Sequence, residues 1–317
     1  MGTSLTESRV LMFKIQAAER TVESSLTSTN IIAVGKDFKH ELDIEHTKLE
    51  RTRGLLGQDG VVRGLGKGVL EFTVPVIPSA TPASVPPNVN DVLKCGGHTQ
   101  TKDTNAWVYT PNLTGTGYKD CTVQSSSGDK TSGDCMLFKS YNHILALELS
   151  AEAGKPFYLK ASGEGCIAEV PAAGTHPLSA TALDEFEVPP CFLGGTVTID
   201  ALTVQLQKFM LKTGLKAVLD KDPEAAYGYA GNTVTLVNNE FTFTFLDKDF
   251  SANSPFAYLA AASKIASINI LSNTIDITGS DFVLSKAPTV SSADGIDQFE
   301  LTGYFLDNDY VITINHA

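Results

Sequence analysis

Residues 37–47, DFKHELDIEHT, alternate without a break. Phe38, His40, Leu42, Ile44 and His46 fall on one side of an extended chain, and Asp37, Lys39, Glu41, Asp43 and Glu45 on the other. No helix separates these two sets, so the stretch is predicted as a strand with a markedly acidic second face. Glycine then dominates: six stand between Gly54 and Gly68 in RGLLGQDGVVRGLGKG. GVLEFTVPVI (68–77) returns as a second strand before the Pro-rich turn PSATPASVPPN. Strand, glycine loop and strand make a long β-hairpin, because a helix does not tolerate that many glycines.

The composition agrees with a β-rich chain. Charged residues make up 19% of the 317 positions, below the usual share of about a quarter, while Thr, Ser, Val, Asn and Gly are plentiful. That length suits one large domain or two of ordinary size, each able to bury a core. The net charge of −12 repels nucleic acid and anionic membrane, which argues against a sequence-reading DNA binder. It suits a surface past which DNA slides without sticking. The N-terminal residues lack the charged start and long apolar run of a secretion signal, and no stretch reaches membrane-span length. A soluble protein that begins in the cytoplasm is expected.

Along the rest of the chain, NDVLKCGG (90–97) reads as a brief helix with an Asn or Asp cap. AWVYTP (106–111), CMLFKSY (135–141), HILALELSA (143–151) and KPFYLKASGE (155–164) read as strands, with AEAGK turning between the last two. The proline-bearing stretch 169–195 is the best linker or crossover. Beyond it TVTIDALTVQLQKFML (196–211) is a long alternating segment, 212–231 a polar loop, and TVTLVNNEFTFTFLD (233–247) the return. SPFAYLAAASKIA (254–266) reads as a helix, and two closing hairpin segments follow. Strand, long loop, strand, short helix and hairpin thus occur twice, which points to an internal duplication with a long insertion, 98–142, in the first half only.

No motif for chemistry survives inspection. The nearest thing to a phosphate loop, Gly64-Leu-Gly66-Lys67-Gly68, has the wrong spacing from Gly60, no Ser or Thr after the lysine, and a strand rather than a helix behind it. DKDFSANSPFAY (247–258) and DKDPEAAYGY (220–229) place acidic residues two apart, but Ala252 and Ala225 stand where a calcium loop requires glycine. His40 and His46 lie about 20 Å apart at strand rise, too far for one metal. The five cysteines contain no C-x-x-C pair; Cys121 and Cys135 could meet across a hairpin around TVQSSSGDKTSGD, or all five could be free thiols. No catalytic, cofactor-binding or metal residue is assigned, so a non-enzyme without cofactor is expected. A carbohydrate-active β-sandwich enzyme would need paired carboxylates and aromatic platforms, and the chain has a single tryptophan.

Taken together, FKIQAAERTVESSLTSTN, the strand ELDIEH running into LERTRGLLG, GKGVLEFTV, the helix VLKCGG, WVYTP, VPPCFLGGTVTIDALTVQLQKFMLKTG and DGIDQFELTGYFLDNDYVITI resemble the tail tube proteins of long-tailed bacteriophages. The resemblance covers most of the chain and lies in the order and character of its segments. It implies a mainly β fold of two tandem β-sandwich or barrel-like domains, residues 1–185 with an N-terminal arm and residues 186–317, each with a short helix and a long stacking hairpin. It implies rings that join β-edges, stack into a hollow tube and conduct DNA. Ring partners would be further copies of the chain, three if both halves count and six if one does. Tape measure, terminator and distal tail proteins would be the other partners, DNA would pass transiently, and the location would be a virion tail assembled in the host cytoplasm. A tail hub, baseplate or receptor-binding protein would share the same β-rich chain.

On this resemblance residues 48–68 are expected to stack against the neighbouring ring, with Gly54 and Gly64 allowing close approach and Arg51, Arg53, Arg63 and Lys67 meeting acidic groups there. Residues 212–231 would be their counterpart. Glu41, Asp43 and Glu45 are expected to line the lumen.

Overall fold

The computed structural model describes residues 7–24, 26–35, 38–48, 61–79, 84–104, 106–114, 118–129, 134–177, 188–193, 195–200, 202–236, 239–246, 264–272, 274–293 and 296–315. The first half runs β1 (Glu7–Ile15), β2 (Ile31–Ile32), β3 (Lys39–Lys48), β4 (Val61–Pro75), the helix α1 (Asn90–Cys95), β5 (His98–Lys102), β6 (Ala106–Pro111), β7 (Cys121–Asp129), β8 (Asp134–His143), β9 (Ala146–Glu152) and β10 (Tyr158–Thr175). The second half runs β11 (Thr196–Ile199), β12 (Leu202–Val204), β13 (Leu206–Lys212), β14 (Leu215–Lys221), β15 (Tyr229–Leu236), β16 (Glu240–Leu246), β17 (Ile265–Leu271), β18 (Ile275–Leu284), β19 (Thr289–Ala293), β20 (Ile296–Phe305) and β21 (Tyr310–Asn315). The fold is mainly β and its strand pairs are antiparallel.

The pairing order repeats. In the first half β3, β4, β10 and β9 lie side by side, and β2, β1, β7 and β8 form a second run that rejoins the distal part of β10. In the second half β13, β16, β20 and β19 lie in the same order, and β12, β11, β17 and β18 rejoin β20. β21 continues the line of β20 beside β18, as the distal part of β10 runs beside β8. The two halves share backbone hydrogen bonds at β9 with β13 and at β6 with β21.

Several expectations change. The insertion peculiar to the first half is smaller than 98–142: β7 and β8 match β17 and β18, and within that range the β5–β6 hairpin alone lacks a counterpart among the described residues. The crossover assigned to 169–195 begins later, because β10 continues through bulges to Thr175 despite Pro171, which it tolerates on an unpaired edge. Segment 196–211 is no single strand; Asp200 adopts a left-handed φ of 46°, accepts a hydrogen bond from the Ser267 amide, and turns the chain back. The polar loop 212–231 is largely the hairpin β14–β15. The helix at 254–266 falls outside the described residues up to 263, and Ile265 already belongs to β17. The helix α1 is preceded by Val89 without a side-chain cap; Asn90 instead accepts a hydrogen bond from Tyr109 Oη at 3.0 Å. Cys121 and Cys135 do not meet, since Cys121 pairs with His143 at one end of the β7–β8 hairpin and Cys135 with Gly128 at the other.

The core shows why these strands form. In TFTF the phenylalanines point one way and the threonines the other, the period of a half-buried strand. Phe241 and Phe243 are buried against Phe282 and Phe305, with ring centroids 5.4 to 6.2 Å apart, and Phe245 packs on Phe243 at 4.7 Å. Ile265, Ile268, Ile270, Ile275 and Ile277 close the cluster from the facing layer. Truncation of one such ring leaves a cavity that rigid strands cannot fill. Phe243→Ala is expected to lower unfolding free energy by roughly 3–5 kcal/mol, measured by chemical denaturation.

Candidate functional site

One sheet runs through both halves in the order β3, β4, β10, β9, β13, β16, β20, β19. Residues directly opposite one another in an antiparallel pair share a face, and following these pairs from strand to strand traces one polar surface. β3 presents Lys39, Glu41 and Asp43, with Lys67, Val69 and Glu71 opposite on β4. β10 adds Lys160, Ser162 and Glu164, and β9 adds Glu148 and Ser150. Across the seam come Lys208, Met210 and Lys212, then Glu240, Thr242 and Thr244, then Glu300 and Thr302. Carboxylates outnumber lysines on this face. The opposite face carries Leu70, Phe72, Leu149, Leu159, Phe209 and Leu301, all buried.

The charges form lateral rows. Lys160 stands opposite Glu148, Glu148 opposite Lys212, and Lys212 opposite Glu240, so one alternating row crosses the seam. Lys212 Nζ approaches Glu240 Oε1 at 2.6 Å, and Lys160 Nζ approaches Glu71 Oε1 at 2.6 Å. The Lys160 hydrogen bond holds the Glu71 carboxyl below its usual range. Such half-exposed pairs add little stability individually; they order the face. Two shallow depressions of about 380 and 390 Å³ lie on it, one lined by Lys208, Glu240, Glu300 and Thr302, the other by Glu148, Lys160, Ser162 and Lys212.

Of the residues singled out in the sequence, Glu41, Asp43 and Glu45 are exposed on β3, and Glu41 and Asp43 fall on this polar face by their pairing. Lys67 lies there too, its Nζ 2.6 Å from Glu164 Oε1 and 3.9 Å from Asp43 Oδ2; the Glu164 hydrogen bond raises its pKa. Gly64 is exposed in β4, and Arg63 pairs in the backbone with His46. Arg51, Arg53 and Gly54 lie outside the described residues, as does the loop 247–258. His40 is buried and His46 exposed, and the pairing slips by one residue of β4 between Ile44 and His46. Gly66 and Gly68 serve contacts within the chain, since a Cβ would sit 2.9 Å from Ile167 Cδ1 at Gly66 and 2.7 Å from Ser140 Cβ at Gly68. Lys160, Glu148, Lys212 and Glu240 stand out in the structure and not in the sequence, because their strand alternation is visible there but their alignment depends on distant pairings.

The sheet ends in two open edges. Among the described residues β3 pairs only with β4, and β19 only with β20. In the repeat, β3 corresponds to β13 and β19 to β9, the two strands that join inside the chain from Lys208↔Glu152 to Lys212↔Glu148. Val290 on β19 is 55% exposed, whereas Leu147 and Leu149 on β9 are buried.

Beneath β3 lies a buried polar relay. His40 Nδ1 is 2.8 Å from Ser125 Oγ, His40 Nε2 is 2.6 Å from Ser140 Oγ, and Ser140 Oγ is 2.6 Å from His143 Nε2. Gly68 and Gly165 pack directly on Ser140 and His143, which seals the serine between the layers. Burial pushes His143 down to about 3, and burial likewise holds His40 well below the ordinary histidine range. A histidine harder to protonate folded than unfolded leaves stability intact above the unfolded pKa of about 6.5 and erodes it as pH falls. Asp120, raised to about 6 by burial, acts in the opposite sense. His143→Gln is therefore expected to flatten the stability loss between pH 6.5 and 4, by on the order of 3 kcal/mol, in denaturation curves taken across that range.

The chain matches no protein-family model and no curated protein.

Proposed function

We propose that the chain is the major tail tube subunit of a long-tailed bacteriophage, a virion protein that polymerises as stacked rings into a hollow conduit for DNA. The observation that carries the reading is the pair of open edges, β3 and β19, each the counterpart of a strand already joined inside the chain. A second copy offering β3 to β19 would repeat the internal seam. The same head-to-tail step, taken again, builds a ring if its rotation closes.

On this reading residues 1–185 and 186–317 are two tube domains, and three chains supply six equivalent arcs. The polar sheet face turns inward, where its excess of carboxylates repels the DNA phosphates and leaves no binding minimum along the path. The paired lysines keep the repulsion moderate and the surface ordered. The end of the β3–β4 hairpin, with Arg51, Arg53, Gly54, Arg63 and Gly64, contacts the neighbouring ring. Tape measure, terminator and distal tail proteins meet the tube inside and at its ends. No cofactor and no reaction enter the mechanism, which is mechanical and electrostatic.

Electron microscopy of the purified protein is expected to reveal hollow stacked rings; monomers under all conditions would defeat the reading. Val290→Lys places a charge on the open β19 edge, away from the core, and is expected to leave a folded monomer by light scattering. Normal rings from that variant would count against edge joining. Replacing Glu41, Asp43 and Glu45 together by lysine is expected to slow DNA ejection while rings still form, and an unchanged ejection rate would remove these residues from the lumen.

A further inference from the structure

The two halves of the chain are joined twice, by β9 with β13 in the polar sheet and by β6 with β21 on the other layer. The second joint depends on a hairpin, β5–β6, that only the first half possesses among the described residues. Its partner β21 has a clear counterpart in the first half, residues 169–175 of β10. Both follow a break in a strand, bulges between Ile167 and Ala172 in one case and the turn at Asp307 and Asn308 in the other. Both then run antiparallel beside the opening residues of a hairpin strand, β8 or β18.

Their surroundings differ. Tyr310, Ile312 and Ile314 on β21 are buried, with Ile312 paired opposite Tyr109 and Ile314 opposite Trp107. Residues 169–173 are exposed throughout, Val170 remains 40% exposed, and Met136, opposite Ala173, is 50% exposed. The small side chains of Ala172, Ala173 and Gly174 let another backbone approach, and Met136 is a flexible apolar side chain that adapts to what it meets. In the second half β13 and β21 both face the first half of the same chain. By the repeat, β3 and residues 169–175 share the corresponding flank of the first half.

We propose that residues 169–175 of β10, with Met136, form a second docking edge that receives the second half of a neighbouring copy of this chain. The proposal rests on the ring reading, because the copy that brings β19 to β3 brings its second half against this edge. The occupant is a second copy, since the internal joint already covers the equivalent flank of the second half, β13 and β21, with the first half. The junction between copies then has two contacts, like the internal one, with the outer contact differently built because the second half has no described β5–β6 counterpart.

A photo-crosslinking amino acid at Val170, with one at the exposed Val85 as control, tests this in the full-length protein, combining mass-spectrometric mapping with electron microscopy of the same sample. The expected result is crosslinked dimers whose attachment maps to residues 186–317 of the other copy, in samples that contain rings. Rings with Val170 crosslinked only within its own chain, or to residues 1–185 of another copy, would overturn the docking edge and leave the ring reading standing. Crosslinks to 186–317 without rings would support the contact and defeat the ring. Neither rings nor crosslinks between copies would overturn both. Val170→Lys is expected to raise the concentration needed for assembly about tenfold with an unchanged monomer melting temperature, and unaltered assembly would count against the edge.

Discussion

The backbone hydrogen bonds between β9 and β13 are the constraint on which the rest depends. They turn two groups of four strands into one sheet, so that side chains far apart in sequence fall into common rows. Lys212 stands between Glu148 and Glu240 only because this register is fixed. The turn between β9 and β10 holds it: Gly154 takes a φ of 80°, and its amide donates to Phe192 while Ala153 donates to Gln207. Phe157, Phe192 and Phe209 pack in an aromatic cluster beneath the seam, with centroids 5.3 to 6.1 Å apart. Directional bonds set the register, and apolar burial makes it hard to slip.

Both halves share one apolar core, to which the first half adds a different chemistry. The second half closes on phenylalanine and isoleucine. In the first, glycines at 68 and 165 bring β4 and β10 so near β8 that polar side chains fill the space between layers. His40, Ser125, Ser140 and His143 satisfy most of one another's hydrogen bonds there. A buried network of this kind specifies one arrangement, since any displacement leaves a polar atom without water or partner.

Much of this was legible locally. The alternation in Thr-Phe-Thr-Phe, in 106–111 and in 39–45 marks strands because each is set by neighbours two residues away. The recurring order of strands was legible as an order of segments. What escaped depends on partners distant in sequence. The bulge beside His46 and the turn at Asp200 answer to β4 and β17, and no nearby residue announces them. The open edge at 169–175 was read as linker because Pro171, Ala172, Ala173 and Gly174 suit an irregular segment as well as an edge strand without a second neighbour. Charge rows across strands need the pairing first. The acidic face of β3 was therefore visible and the larger face to which it belongs was not.

A chain that joins its own halves by a head-to-tail contact, and leaves the matching edges open among its described strands, has the edges that repetition would use. On the ring reading, fusing two domains makes every second junction intramolecular, with a high effective concentration and no loss of translational freedom. The two kinds of junction then differ in strength. Inside the chain, β6 grips β21 and a phenylalanine cluster backs the seam; between copies, the edge at 169–175 presents small side chains, a proline and a methionine. On that same reading the contact between copies is the one whose formation depends on concentration, so it would be the step at which assembly is controlled, while the internal seam would set the angle that each further copy must repeat.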